Sequence, residues 1–320
     1  MATRIWTGIV DDKWETVGNW NPAGIPAVGD DVTLSTGFAT LSTTITVNSI
    51  AIGGANQATL SIKNPGGTAT VIGSVTISGT GRLVLDASFI GGAGGNSLTI
   101  GGVLTNSSTD GNALVIGNTG QTSADTVTAT GLANTGRTSL FGSATAQSTL
   151  KITGGVAGFG TDGVVTGAVY LERNALLQFA SGQISTVKSG ASLWLNGANA
   201  RVADAGATST NSALVGLSTV AGDLFLQNGA TIATSGGLTI SGTGRLVIDA
   251  SFIGGAGGSS LTIGGVLTNS STDGVVTGAA YLERNALIEF AGGQIGKVAA
   301  GASLWLNGAN ARVAPARSAG

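Results

Sequence analysis

Two stretches of this chain occur twice, and the two duplications are out of step. Residues 77–111 (ISGTGRLVLDASFIGGAGGNSLTIGGVLTNSSTDG) recur at 240–274 with 33 of 35 positions identical; only Leu85, answered by Ile248, and Asn96, answered by Ser259, differ. Residues 162–203 recur at 273–314 with 34 of 42 positions identical. The first pair is offset by 163 residues and the second by 111, so the second pass omits the 52 residues equivalent to 112–163. A globular core does not tolerate such a gap in its middle. A stack of coils does, because each coil touches only its neighbours.

The local pattern is that of short strands. Thr59–Ile62, Ser74–Ile77, Arg82–Leu85, Ser97–Ile100, Ala113–Ile116 and Ser192–Leu195 alternate apolar and polar residues, and Gly, Asn, Ser or Asp separates them. The 55 glycines oppose helices, and no apolar stripe of helical period and length is present. Asn196-Gly197, Asn228-Gly229 and Asn307-Gly308 carry the hairpin dipeptide, which keeps a meander or sandwich open. The unequal duplications favour an all-β fold, a parallel β-helix with an aromatic-rich N-terminal capping block. At about 20 residues per coil and ~4.8 Å per coil it would be a rod of roughly 70 Å. Residues 1–35 form the cap or joint, 36–314 the solenoid and 315–320 a tail.

Composition narrows the function. With neither Cys nor His, the chain offers no zinc finger, haem, iron–sulfur cluster, disulfide framework or Ser–His–Asp triad. A net charge of −2 gives no electrostatic footprint for nucleic acid. No apolar run reaches membrane-spanning length, which argues against membrane insertion, and the N-terminus does not read as a cleaved signal peptide.

Residues 1–35 read differently from the remainder. They hold Trp6, Trp14 and Trp20, then Asn19-Trp20-Asn21-Pro22, Pro26 and Gly29-Asp30-Asp31-Val32-Thr33-Leu34. This block, followed by the LTISGTG and LTIGGVLTN phrases, resembles bacterial secreted and cell-surface β-solenoid proteins of the adhesin or autotransporter-like beta strand repeat kind. The resemblance implies an extracellular or cell-surface location and a structural or adhesive role. Large aromatics over the open end of a solenoid act as a seal, so Trp6, Trp14 and Trp20 are expected to cap the core or to join subunits. Trp194 and Trp305, in identical Ser-Leu-Trp-Leu-Asn-Gly contexts, are expected as coil elements.

The remaining candidates are weak as chemistry. Asp30-Asp31 superficially matches the acidic pair of polygalacturonase-like enzymes, but a solvated start to a strand is the better reading without His. Asp86 and Asp249 follow Arg82 and Arg245 by four residues, and Glu172-Arg173 recurs as Glu283-Arg284. A catalytic centre is normally single, so these read as charge pairs on a face. Gly91–Thr99 fits a calcium-roll nonapeptide except that Asn96 replaces the ligand Asp; its copy, Gly254–Thr262, has Ser259 there. No cofactor is expected, and structural calcium is the weaker reading.

The sequence therefore predicts a non-enzymatic, extracellular structural protein: a solenoid that associates end to end into surface or matrix filaments, or acts as an adhesin. Its partners would be further copies of itself and cell-surface glycans. A polysaccharide-binding or polysaccharide-degrading β-helix, and a passive stalk segment of a giant adhesin, are the alternatives.

Overall fold

The computed structural model describes residues 2–63, 67–86, 92–155, 163–250, 255, 257–271, 279–291, 294–298, 303–307 and 310–315. Its strands stack in parallel on three faces, each turn of chain laying one strand on each face. Face 2 is one continuous sheet of eleven strands, from Gly37–Leu41 to Ser303–Asn307. Face 1 begins as a seven-stranded sheet ending at Gly131–Asn134 and resumes as a six-stranded sheet from Val164–Val165. Face 3 likewise has seven strands up to Arg201–Asp204 and four from Thr231–Thr234. The chain is a β-solenoid, as the sequence predicts.

The period-2 alternation dictates which residues point inward. On face 2, Leu41, Ile62, Leu85, Ile116, Leu140, Leu171, Leu195, Leu226, Ile248 and Leu282 lie in register, one above another. Every member of that column is fully buried, and comparable columns from the other faces complete one continuous core. Fully burying one such side chain contributes about 2 kcal/mol, so each added turn stabilises its neighbours. The next residue in this column, Leu306, is 51% exposed in the last face-2 strand.

The coils are longer than the sequence pattern suggests. Between Ala39 and Leu304 the face-2 register advances ten steps, a mean of about 26 residues per turn. Eleven tiers then span ~48 Å from first to last, shorter than 20-residue coils would give. The extra residues lie in corners and in the segments between strands, which alternation does not count. The Asn-Gly dipeptides are corners too, not hairpins: Gly197, Asn228 and Gly229 have φ of 128°, 55° and 88° between parallel strands, while Gly308 lies outside the described residues. At Gly53 no side chain fits, since a Cβ would stand 1.9 Å from the Ser78 carbonyl oxygen of the next turn.

The duplications occupy equivalent places. Gly81–Leu85 and Arg245–Ile248 lie on face 2, Ser97–Ile100 and Ser260–Ile263 on face 3, and Val103–Asn106 and Leu267–Ser271 on face 1. Two face-2 tiers, Leu114–Ile116 and Arg137–Phe141, separate Gly81–Leu85 from Ala168–Glu172, whereas Arg245–Ile248 is followed directly by Ala279–Glu283. The 52 omitted residues amount to two whole turns.

Candidate functional site

Two groups of side chains stand out from the repeating wall. The first is the N-terminal block. Thr3–Trp6 and Asp31–Leu34 are themselves strands of face 1, so this block is continuous with the solenoid. Trp20–Asn21 pairs antiparallel with the edge of Thr3–Trp6 and ends that sheet. Trp14 N donates to the Thr40 carbonyl and Thr40 N to that of Asp12, which occupies the first edge of face 2. Parallel edges left bare would template further pairing, and this crossing chain takes up their hydrogen bonds.

Beneath it, Trp6, Trp14 and Trp20 are buried as an edge-to-face trio, with centroids 5.0 Å apart for Trp6–Trp20 and 4.6 Å for Trp14–Trp20. Trp20 Nε1 donates to the Trp14 carbonyl at 2.8 Å, while the indole nitrogens of Trp6 and Trp14 are buried without a hydrogen-bond partner. Asn19, fully buried, organises the loop: its Oδ1 accepts from Val10 N and Asp11 N, and its Nδ2 donates to Asp11 and to the Lys13 carbonyl. The trio covers the end of the core.

Asp30 and Asp31 differ from the solvated strand start that the sequence suggests. Asp30 is buried and accepts from Ala2 N, Ala27 N and Arg4 Nε. Asp31, half-buried, accepts from Ser49 Oγ at 2.6 Å and Asn48 Nδ2 at 2.7 Å. These hydrogen bonds, from backbone at Asp30 and from Ser49 and Asn48 at Asp31, hold both carboxyls below the usual range. Their work is to tie loop ends together.

The Arg82–Asp86 and Arg245–Asp249 surface pairs are also corrected. Asp86 and Asp249 are fully buried at left-handed corners, φ 46° and 56°. Arg82 instead meets Asp110 at 2.8 Å and Arg245 meets Asp223 at 2.5 Å, both across turns. Glu172 and Arg173 do approach, at 3.8 Å. At the calcium-roll position, Asn96 Oδ1 accepts from Gly67 N and Ser259 N donates to Asp249 Oδ2, so both positions serve the fold; Gly91 and Gly254 lie outside the described residues.

The second group is on the outside of face 2. Alternation turns the central residue of Ala168–Glu172, Ser192–Asn196 and Asp223–Gln227 outward, and the register stacks them: Tyr170 on Trp194 on Phe225. Centroids are 5.9 Å apart for Tyr170–Trp194 and 3.8 Å for Trp194–Phe225, with Phe141 5.6 Å from Tyr170. The Tyr170 hydroxyl donates to Glu172 at 2.6 Å and accepts from Asn196 Nδ2 at 3.0 Å. Burial first, then the neighbouring Glu172, pushes the phenol up to about 12.

Beside the rings runs a second register column, Arg137, Ala168, Ser192, Asp223, Arg245. Its two small members leave a notch of about 240 Å³, with Arg137 at one end, Asp223 at the other and Tyr170 and Trp194 along its side. The Arg137 guanidinium stands 5.6 Å from the centre of the Tyr170 ring and its Nε donates to Ser139 Oγ. It makes no ion pair among the described residues. Three larger depressions, one beside Arg201, one beside Lys188 and one between Asp223 and Arg245, bring no aromatic ring together with a charged group.

The sequence places Trp194 on a coil but does not reveal the notch. The signal was there in the pentapeptides AVYLE, SLWLN and DLFLQ, each with an aromatic between two apolar residues. Their separations of 24 and 31 residues hid the common column. No helix among the described residues is long and apolar enough to cross a membrane. Comparison with protein-family models, with curated proteins and with solved structures finds no match to this chain.

Proposed function

We propose that this protein is a non-enzymatic structural solenoid of an extracellular surface or matrix, whose copies associate end to end into filaments and whose side faces serve adhesion. The observation that carries the reading is the complementarity of the two ends. Residues 1–35 hold five acidic against two basic side chains, a net −3, while residues 290–315 hold Lys297 and Arg312 and no acidic one. Both ends also expose apolar surface. On the cap Ile9, Val10 and Val17 are 79%, 62% and 52% exposed; in the last face-2 strand the core-column residue Leu306 is 51% exposed. An acidic, apolar cap and a basic last described tier suit a heterologous contact, which propagates instead of closing.

Sedimentation velocity over a concentration series, with negative-stain microscopy, tests the proposal. Concentration-dependent growth into fibres about one solenoid wide is expected. A species that stays monomeric at high concentration and shows no fibres overturns it. The second reading, a polysaccharide-binding solenoid, is favoured by the ring-lined notch of face 2.

A further inference from the structure

We propose that the notch between Arg137 and Asp223 on face 2 binds a carboxylate-bearing pyranose of an acidic glycan. The inference does not rest on end-to-end association, because the notch lies on the sixth and seventh of eleven tiers, away from both ends.

Three features converge on this ligand. Ala168 and Ser192 are the two small residues in a column otherwise filled by Arg137, Asp223 and Arg245. Two tiers at ~4.8 Å make an opening of roughly 10 Å, the scale of one sugar ring. Tyr170 and Trp194 supply apolar ring surface along the notch, against which the C–H face of a pyranose packs. The polar groups then divide the sugar's chemistry. Ser192 and the Asp223 carboxylate, its charge balanced by Arg245 at 2.5 Å, suit hydroxyl groups. Arg137 is the cation left over. It is exposed, has no carboxylate partner among the described residues and is held over the Tyr170 ring, so a carboxylate entering the notch meets a fork of free N–H donors. Glu172, the nearest acid on the other flank, is engaged by the Tyr170 hydroxyl and does not line the notch.

The test is affinity electrophoresis in native gels containing polygalacturonate or, as the matched neutral polymer, fully methyl-esterified polygalacturonate. Retardation by the acidic polymer at least fivefold stronger than by the ester is expected. Trp194→Ala should weaken binding to both polymers at least tenfold. Arg137→Gln should abolish the preference for the acid while leaving the weaker binding to the ester. Arg137→Gln alters an exposed side chain, so it reads the proposal even where Trp194→Ala lowers the melting temperature. No retardation by either polymer, equal retardation by both, or wild-type behaviour of Arg137→Gln overturns the assignment. Fibre formation measured on the same samples reports separately on the end-to-end reading.

Discussion

Asn96 and its copy Ser259 differ because the residues beside them differ. The register sets Asp125 next to Asn96 on the following turn, whereas Ser259 has Ala286 at that place. Asn96 N donates to Asp125 Oδ1 at 2.9 Å and its amide bridges Asp125 and Asp86, both fully buried. Where no carboxylate follows, a serine suffices. Asp125 Oδ2 is buried without a hydrogen-bond partner. Burial, with Asp86 close by, raises the Asp125 carboxyl from 3.8 to about 6. A carboxyl with a raised folded value stabilises fully below its unfolded value and loses that contribution as pH rises through the folded one. Stability should therefore fall between pH 4 and 6, by on the order of 2 kcal/mol. The opposite holds for Asp11, Asp30, Asp31 and Asp110, which are held low by hydrogen bonds and, at Asp110, by Arg82 against the cost of burial. Their contribution is lost only as pH drops below about 4. Thermal melts from pH 3 to 8 should peak near pH 4–5, and Asp125→Asn should remove the decline above the peak. A wild-type curve that is flat from pH 4 to 7 would contradict the assignment.

A whole turn is the element of this fold, and the duplications show that turns can be removed as units. Deleting 112–163 joins Gly111 to Val164 and recreates SSTDGVVTGA, which the chain already uses at 270–279. The shortened protein should keep its β circular dichroism and a cooperative melt, since Leu83 would then stack on Val169 as Leu246 does on Ala280. It would also set Asn96 beside Ala175, the equivalent of Ala286. Adding Asn96→Ser should therefore raise the melting temperature of the deletion while lowering that of the full-length chain. An unfolded deletion, or the same sign in both backgrounds, would refute the modular account. Leu85 and Ile248 fit the same logic, for Leu85 stands between Ile62 and Ile116 and Ile248 between Leu226 and Leu282, a volume-conserving alternation. The strands and the skipped turns were legible in the sequence, because alternation and repetition are local or self-referential. Asp86 was misread because residues four apart along an extended strand lie on the order of 13 Å from each other, whereas the partner of Arg82 came from Asp110 on the next turn. The ring column was hidden for the same reason: it depends on the uneven lengths of the corners, and side-chain alternation says nothing about those.

At the scale of the whole stack, the first and last described tiers differ chemically, and their opposite charge makes the end-to-end proposal testable by electrostatics alone. The cap carries Asp12 and Glu15 at its surface, and Lys297 is exposed beside the last tier. Facing charges of this kind contribute under about 1 kcal/mol per pair. They are screened within ~10 Å at 0.1 M salt and ~3 Å at 1 M. Raising salt from 0.1 to 1 M should therefore weaken association severalfold without abolishing it, since the apolar contacts of Leu306, Ile9 and Val10 persist. Lys297→Glu should weaken association at low salt, and a mixture of Lys297→Glu with Asp12→Lys chains should restore it at the alternating joints. Restoration by the charge-swapped partner would distinguish a cap-to-tier contact from side-by-side clustering, in which the two positions never face each other. If salt and both substitutions leave the sedimentation profile unchanged, the ends do not meet.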